Sequence, residues 1–207
     1  MKHQFIAIVL LTLTACGQTQ NKTQTESSST KVDTIQKQTK SMSDYSPTLD
    51  KAHPNAKRLM KEEFYWSPIE ETAPFGSDDG ADTYAGFADW RQTHKADSPK
   101  EFLMQQIESW GYPTFDLHET NLEKLKPYLK QSDLGTRFMS GIDAAVVAIA
   151  FGQLYLEGTI DKEFKETAKT SIERELIPEM LKLWGDPYKV KREAQLKKML
   201  DVLNQVD

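Results

Sequence analysis

The stretch that decides the fold runs from Ile142 to Leu156 and reads IDAAVVAIAFGQLYL. Only Asp143, Gly152 and Gln153 interrupt its apolar side chains. A helix that is apolar on nearly every side is typical of a protein interior, and about 15 residues are too few to span a bilayer, which takes about 20. We therefore predict a central buried helix over about 142–156, ended by Gly158.

Helix signals recur before this stretch. Pro54 fits the first position of a helix, where a missing amide hydrogen costs nothing. Ser98 and Glu101 form a capping-box pattern, in which each side chain can satisfy the backbone amide of the other residue. The apolar spacing after Ser98 predicts a helix that ends at Gly111.

Further helices are predicted on either side of the central one. Thr120 is expected to cap a short helix that Pro127 would kink or divide. A long amphipathic helix is expected from Phe164 to Trp184, bent by Pro178, and Asp186 is expected to start the last helix. These signals predict a mainly α fold, a single irregular helical domain of five to seven helices around the central one, with little or no sheet.

The N-terminus predicts a lipoprotein signal peptide over residues 1–15. Lys2 supplies a positive charge ahead of an apolar core that is too short to span a bilayer. The sequence Leu13-Thr14-Ala15-Cys16 resembles the bacterial lipobox, so we expect cleavage before Cys16 and acylation of its sulfur. The alternative is an ordinary signal peptide with a cysteine near its cleavage site. Because Cys16 is the only cysteine, an acylated Cys16 excludes thiol catalysis by the mature domain.

Residues 16–44 are predicted to form a tether between this anchor and the domain. They include no aromatic residue and few large apolar ones, so they cannot bury enough surface to offset the entropy of ordering. A helical globular domain is expected over residues 45–207. Acyl chains on Cys16 would hold it to the lipid bilayer of the cell envelope. Because Gly17 rather than Asp follows the cysteine, we expect the outer membrane, facing the periplasm, if the source is Gram-negative.

The net charge argues against nucleic acid as a partner. The whole chain has a formal charge of −5, and the signal peptide and the tether contribute +1 each, which leaves −7 for the domain. A domain of this sign repels a phosphate backbone.

The segment from Glu62 to Trp90 combines acids and aromatics without a Lys or Arg. Such a mixture suits a cation, a basic peptide or a sugar, and two carboxylates can divide acid and base roles. The candidate binding surface comprises Trp66, Glu70, Glu71, Asp78, Asp79, Asp82 and Trp90. A structural interpretation competes with this one, because acids at a helix start cap amides and suit the dipole while aromatics fill a core.

Three partial motifs do not support catalysis or a metal site. The run Gly76-Ser77-Asp78-Asp79-Gly80 lacks both the ligand spacing of an EF-hand and the central serine of a nucleophile elbow, so a turn into a helix is expected. His118-Glu119 begins like a zincin motif, but Leu122 stands where the second histidine is needed. We predict no metal and no cofactor.

A basic run lies on the last predicted helix. It comprises Lys189, Lys191, Arg192, Lys197 and Lys198. Such runs are usually solvated faces, which is the interpretation we favour. The alternative is that this face leans on anionic lipid headgroups near the anchor.

Four stretches carry a resemblance to a known family. They are HPNAK at 53–57, FYWSPIEE at 64–71, PFGSDDGAD at 74–82 and the region from Gly141 through Arg174. These stretches resemble the uncharacterised bacterial YfeS-like proteins over most of the domain from about Leu49. The resemblance implies a shared helical domain, and because that family has no established activity it supplies no catalytic residue. A lipobox in front of such a domain would be an additional targeting signal.

Two functions remain open. The first is a membrane-anchored, non-catalytic lipoprotein that binds or inhibits a protein or envelope partner, as an immunity protein does. The second is a carboxylate-using hydrolase that acts on envelope glycans, which the absence of a complete catalytic constellation disfavours. The shape of the acidic surface would distinguish the two functions. An enzyme should bring two of the acids together in a pocket, whereas a binder should present a convex or flat patch.

Overall fold

The computed structural model describes residues 46–207 and is mainly α, as predicted. Within this range there are eight α-helices, one more than the upper end of the five to seven predicted because the long helix is split at Pro178, and no β-strand. The helices are α1 (Pro54–Leu59), α2 (Asp78–Thr93), α3 (Pro99–Trp110), α4 (Leu122–Leu129), α5 (Gly135–Glu157), α6 (Lys162–Glu175), α7 (Pro178–Leu181) and α8 (Asp186–Gln205). Short 3-10 helices occupy Leu49–Lys51, Glu63–Trp66 and Lys182–Trp184. The predicted signal peptide, Cys16 and the tether lie outside the described residues, so those boundaries stay predictions.

Helix α5 is the central buried helix that the apolar stretch predicted. Every residue from Ala145 to Tyr155 is buried, and Gly158 ends the helix in the left-handed conformation at φ 79°. The helix begins seven residues earlier than predicted, at Gly135 rather than Ile142. Its first turns are more polar, so hydrophobicity alone did not mark them.

Helices α2 and α6 pack along α5 and form most of the interface with it. At Gly152 the ring of Tyr84 comes so close that a Cβ there would lie 2.8 Å from Cδ2. A larger residue would therefore push α2 away from α5. Tyr65 stacks on Phe151 with ring centroids 5.8 Å apart, which fixes the 3-10 helix Glu63–Trp66 against the same core.

Helix α5 is long and apolar enough to cross a membrane by length and composition. Among residues 46–207 no other helix meets this test, and 83% of its most apolar window is buried inside the domain. That burial is typical of the core helix of a soluble domain.

Most of the predicted helix ends are confirmed, and one cap is corrected. Pro54 opens α1, and Ser98 caps α3, but its Oγ accepts from the amide of Lys100 at 3.4 Å and not from that of Glu101, as the capping box predicted. Gly111 ends α3 at φ 65°. The cap of α4 is Asn121 rather than Thr120, with Asn121 Oδ1 accepting from the amide of Glu123 at 2.9 Å.

Pro178 divides the predicted long helix instead of bending it. Helix α6 stops at Glu175 and α7 starts at Pro178. Proline has no amide hydrogen to donate, and its ring clashes with the carbonyl four residues earlier, at Arg174. The chain therefore turns at residues 176–177, which places the short α7 and Trp184 across the end of α6.

Candidate functional site

The acidic segment, Glu62 to Trp90, begins with the 3-10 helix Glu63–Trp66 and continues into α2. Ser77 caps α2 by accepting from the amide of Gly80 at 3.1 Å. Asp78 and Asp79 lie in the first turn, where a negative charge suits the helix dipole. The predicted turn into a helix is confirmed, but Ser77 and not an aspartate makes the cap.

The two tryptophans of the candidate surface pack against the core rather than standing free. Trp66 is half-buried and donates from Nε1 to the carbonyl of Met60 at 3.1 Å. Trp90 is also half-buried and stacks on His94, with ring centroids 4.6 Å apart and planes 4° from parallel.

Glu70 and the basic run of α8 form a bridge that neither pattern predicted. Lys191 Nζ lies 2.5 Å from Glu70 Oε2, and Lys198 pairs with Glu62. The Lys191 bridge, with a second hydrogen bond from Thr72, lowers the pKa of the Glu70 carboxyl. The basic run on α8 is therefore not simply a solvated face, because two of its lysines form ion pairs with the acidic segment.

A cavity of about 330 Å³ opens between the acidic segment and the helices that face it. Its walls come from residues 71–79, the first half of α5, the end of α6, the α7 region and α8. The lining side chains that carry polar groups are Glu71, Ser77, Asp79, Thr136, Ser140, Asp143, Glu175, Trp184 and Arg192. Of the predicted surface, Glu71 and Asp79 line the cavity, whereas the other five residues do not.

Asp79 is held at the cavity wall by Arg137 of α5. The two guanidinium nitrogens NH1 and NH2 donate to Oδ2 at 2.6 Å and to Oδ1 at 2.8 Å. The nearby carboxylate raises the pKa of Arg137 further. This two-point contact fixes the direction of the Asp79 carboxylate.

Asp143 is a buried carboxylate in the same wall, paired with the fully buried Arg174. Arg174 NH2 lies 2.8 Å from Asp143 Oδ1. Arg174 also donates to the carbonyl of Glu119 at 2.6 Å, and its guanidinium carbon lies 4.8 Å from the ring centre of Phe115. Burial raises the pKa of the Asp143 carboxyl, and the positive charge of Arg174 offsets part of that effect.

The third ion pair of the cavity joins Glu175 at the end of α6 to Arg192 of α8. Glu175 Oε1 also accepts from Trp184 Nε1 at 2.8 Å. Arg192 reaches across to the carbonyl of Thr72 at 2.6 Å and is buried, with 8% of its surface exposed. The prediction that Arg192 lies on a solvated face is therefore wrong, because its side chain is buried and its guanidinium group bonds to Glu175 and to the Thr72 carbonyl.

The site combines residues that sequence reasoning treated separately or passed over. Asp143 was visible as the single acid inside an apolar helix, and a charge in such a stretch is a recognisable signal for a buried partner. Glu175 gave no comparable signal, because its role depends on the break at Pro178. Glu71 is exposed, and no hydrogen bond or ion pair of its side chain is seen within residues 46–207.

The arrangement is suited to binding more than to acid–base chemistry. Three of its four carboxylates are each held by an arginine, which fixes their position. Within the described part of the chain no group of three His, Cys, Asp or Glu side chains is placed to hold a metal ion.

Comparisons with known proteins add one relative. No protein-family model matches the chain, and no solved structure matches it. The chain is similar to uncharacterized protein YfeS of Escherichia coli (strain K12), with 26% identity over 136 residues. The match covers 65% of this chain and 54% of that protein, so the chain spans about half the length of the relative. This similarity agrees with the resemblance found in the sequence, and the name of the relative states no activity.

Proposed function

We propose that this chain is a lipid-anchored protein of the cell envelope whose helical domain binds a partner without catalysing a reaction. The lipobox-like sequence ending at Cys16 supports the anchor. The cavity beside the acidic segment supports the binding role, and we assign the partner contact to it.

One observation carries the preference for binding over hydrolysis. Asp79, Asp143 and Glu175 are each paired with an arginine at 2.5 to 2.8 Å. A glycoside hydrolase of the usual kind needs one carboxyl that can release a proton and one that is free to attack or to activate water. Carboxylates clamped by guanidinium groups are instead rigid acceptors, which suit recognition.

The hydrolase remains the second candidate because acids do converge in a pocket. Burial raises the pKa of Asp143, as a general acid requires. Glu71 would have to serve as its partner, being the lining carboxylate not clamped by an arginine among residues 46–207. Release of reducing sugar from envelope glycans by the wild-type protein, abolished in Glu71→Gln, would favour this candidate.

The binding proposal is tested by filling the cavity. Ala144 lines it from α5, and Ala144→Leu reduces the space without changing a charge. Ala96→Leu is the matched control, since Ala96 is exposed in the loop between α2 and α3. We expect envelope proteins that are captured by the wild-type lipidated chain and by the control to be lost from Ala144→Leu. Equal capture by all three proteins, with Ala144→Leu melting normally, would contradict the proposal.

A further inference from the structure

The polar lining of the cavity consists mainly of hydrogen-bond acceptors. The acidic residues that line it are Glu71, Asp79, Asp143 and Glu175, and the last three are each paired with an arginine. The lining cation is Arg192, and its Nε, NH1 and NH2 atoms already donate to Glu175 and to the Thr72 carbonyl. Glu71 is therefore the lining carboxylate without an ion pair among residues 46–207, and its charge favours a cationic ligand over an anion.

Hydroxyl groups on α5 extend this acceptor surface. Thr136 and Ser140 line the cavity one helical turn apart. Ser140 Oγ donates its hydrogen to the carbonyl of Arg137 at 3.1 Å. Its lone pairs therefore stay available to accept from a ligand.

The rest of the lining is apolar and comes from several helices and the loop before α2. Val147 of α5, Met180 of α7 and Met199 of α8 face the cavity, together with the rings of Pro74 and Trp184. A volume of about 330 Å³ is at the small end for ligand pockets. The apolar part of this cavity suits a short hydrocarbon chain, which buries methylene groups against it.

We propose that the cavity binds an aliphatic cation, a short hydrocarbon chain that ends in an ammonium group. The chain packs on the methionines and Trp184, and the ammonium group lies against Glu71 and the hydroxyls of α5. The ammonium group belongs either to a lysine side chain of a partner or to a free alkylamine. This inference rests on the proposed binding function and names the chemistry of its site.

Indole signals provide a direct readout. The chain has four tryptophans, and Trp184 lines the cavity whereas Trp66, Trp90 and Trp110 do not. Titrating the full chain with pentylamine should shift the indole N–H resonance of Trp184 and leave the other three in place. Pentanol and pentanoate have chains of the same length without the positive charge, and we expect each to bind at least about tenfold more weakly.

Variants of Glu71 and Ala144 test which carboxylate binds the ammonium group and whether the ligand occupies the cavity. Glu71→Gln should weaken pentylamine about fivefold, because an exposed carboxylate contributes modestly. Glu101→Gln, at an exposed position of α3 away from the cavity, should leave the affinity unchanged. Ala144→Leu should abolish the Trp184 shift, and its melting temperature shows whether the domain is still folded.

The source of the ammonium group is tested with Nα-acetyl-lysine amide, whose side chain keeps its ammonium group. Tighter binding than pentylamine assigns the site to a peptide-borne lysine, and weaker binding assigns it to a free alkylamine. Equal affinity for pentylamine and pentanol, or no Trp184 shift with any amine in the millimolar range, overturns the proposal. If capture of a partner still depends on Ala144 in that case, the binding function stands and only the ligand class is wrong.

Discussion

Arg192 of α8 donates two hydrogen bonds to the carboxylate of Glu175 on α6, from Nε to Oε1 at 2.5 Å and from NH2 to Oε2 at 2.6 Å. Only 10% of the Arg192 side chain and 18% of the Glu175 side chain are exposed. The pair ties two helices that lie on either side of the break at Pro178.

Removing the cation of this pair should destabilise the domain strongly. Arg192→Met leaves the Glu175 carboxylate in a largely buried place, and we expect a loss of about 3 kcal/mol in urea unfolding. Arg192→Met combined with Glu175→Gln should recover part of that loss, because the neutral amide still accepts from Trp184. If the free energy of unfolding of Arg192→Met alone lies within about 0.5 kcal/mol of the wild-type value, the pair contributes little to stability.

Glu70 predicts a specific pH dependence of stability. Its pKa is lowered from 4.5 by Lys191 and Thr72, so the ionised form stabilises the fold. This contribution is complete above pH 4.5 and is lost as the pH falls through the lower folded-state pKa. The gap in melting temperature between wild type and Glu70→Gln should therefore shrink on acidification.

The control for this experiment is Glu173→Gln, at an exposed position of α6. It should melt like the wild type at each pH. A gap for Glu70→Gln that stays constant down to acidic pH would contradict the role of the Lys191 bridge.

Gly158 should tolerate no side chain. Its φ is 79°, and an added Cβ would lie 2.0 Å from Nδ1 of His53. We expect Gly158→Ala to cost about 2 kcal/mol or more, from the left-handed conformation together with the clash. Gly111→Ala is the matched variant, because φ is 65° there and nothing lies within 4 Å of the added atom. It should cost about 1 kcal/mol, and equal losses would remove the clash from the explanation.

The three aspartates at the start of α2 should differ in their contributions. Asp79→Asn loses the two-point contact with Arg137 and should cost about 1 kcal/mol. Asp78 lies in the first turn without the two-point contact, and Asp82 lies beyond that turn, so Asp78→Asn and Asp82→Asn should cost at most about 0.5 kcal/mol each. Thermal melting ranks the variants, and equal losses for all three would mean that the Arg137 contact adds nothing.

Lipidation should depend on Cys16. Cys16→Ser replaces the thiol that the lipobox-like sequence presents, and a hydroxyl is a poor substitute for a thiolate in acyl-glyceryl transfer. We expect radiolabelled palmitate to enter the wild-type chain and not the variant. Palmitate in the variant would contradict acylation at this position.

The helices were predictable because hydrophobic spacing and end signals act locally. The run from Ile142 to Leu156, the proline that opens α1 and the glycines that end α3 and α5 each work within a few residues. Pro178 shows the limit of this reasoning. The sequence identifies the proline, but whether it bends or ends a helix depends on what the following turn packs against.

The cavity was only partly predictable because its residues meet through long-range packing. The sequence pattern identifies Glu71 and Asp79 as acids beside aromatics, but their proximity to Asp143 and Glu175 follows from the way α5 and α6 are arranged. The basic run predicts a solvated Arg192, and this is wrong because a run of basic residues looks solvated even when one member faces inward. A helical projection of α8 would have placed Arg192 on the same face as Leu196, Met199 and Leu203, which are buried.

The bonds between α8 and the acidic segment also set an order of assembly. They join Thr72 to Arg192, Glu70 to Lys191 and Glu62 to Lys198, across 120, 121 and 136 positions of the chain. Contacts of such separation form late, because a long loop must close before they contribute. During synthesis the acidic segment therefore remains without these partners until the ribosome has passed residue 198. If the chain is exported unfolded, as the proposed location in the cell envelope implies, the wall of the cavity that α8 forms is completed only after α8 has crossed the membrane.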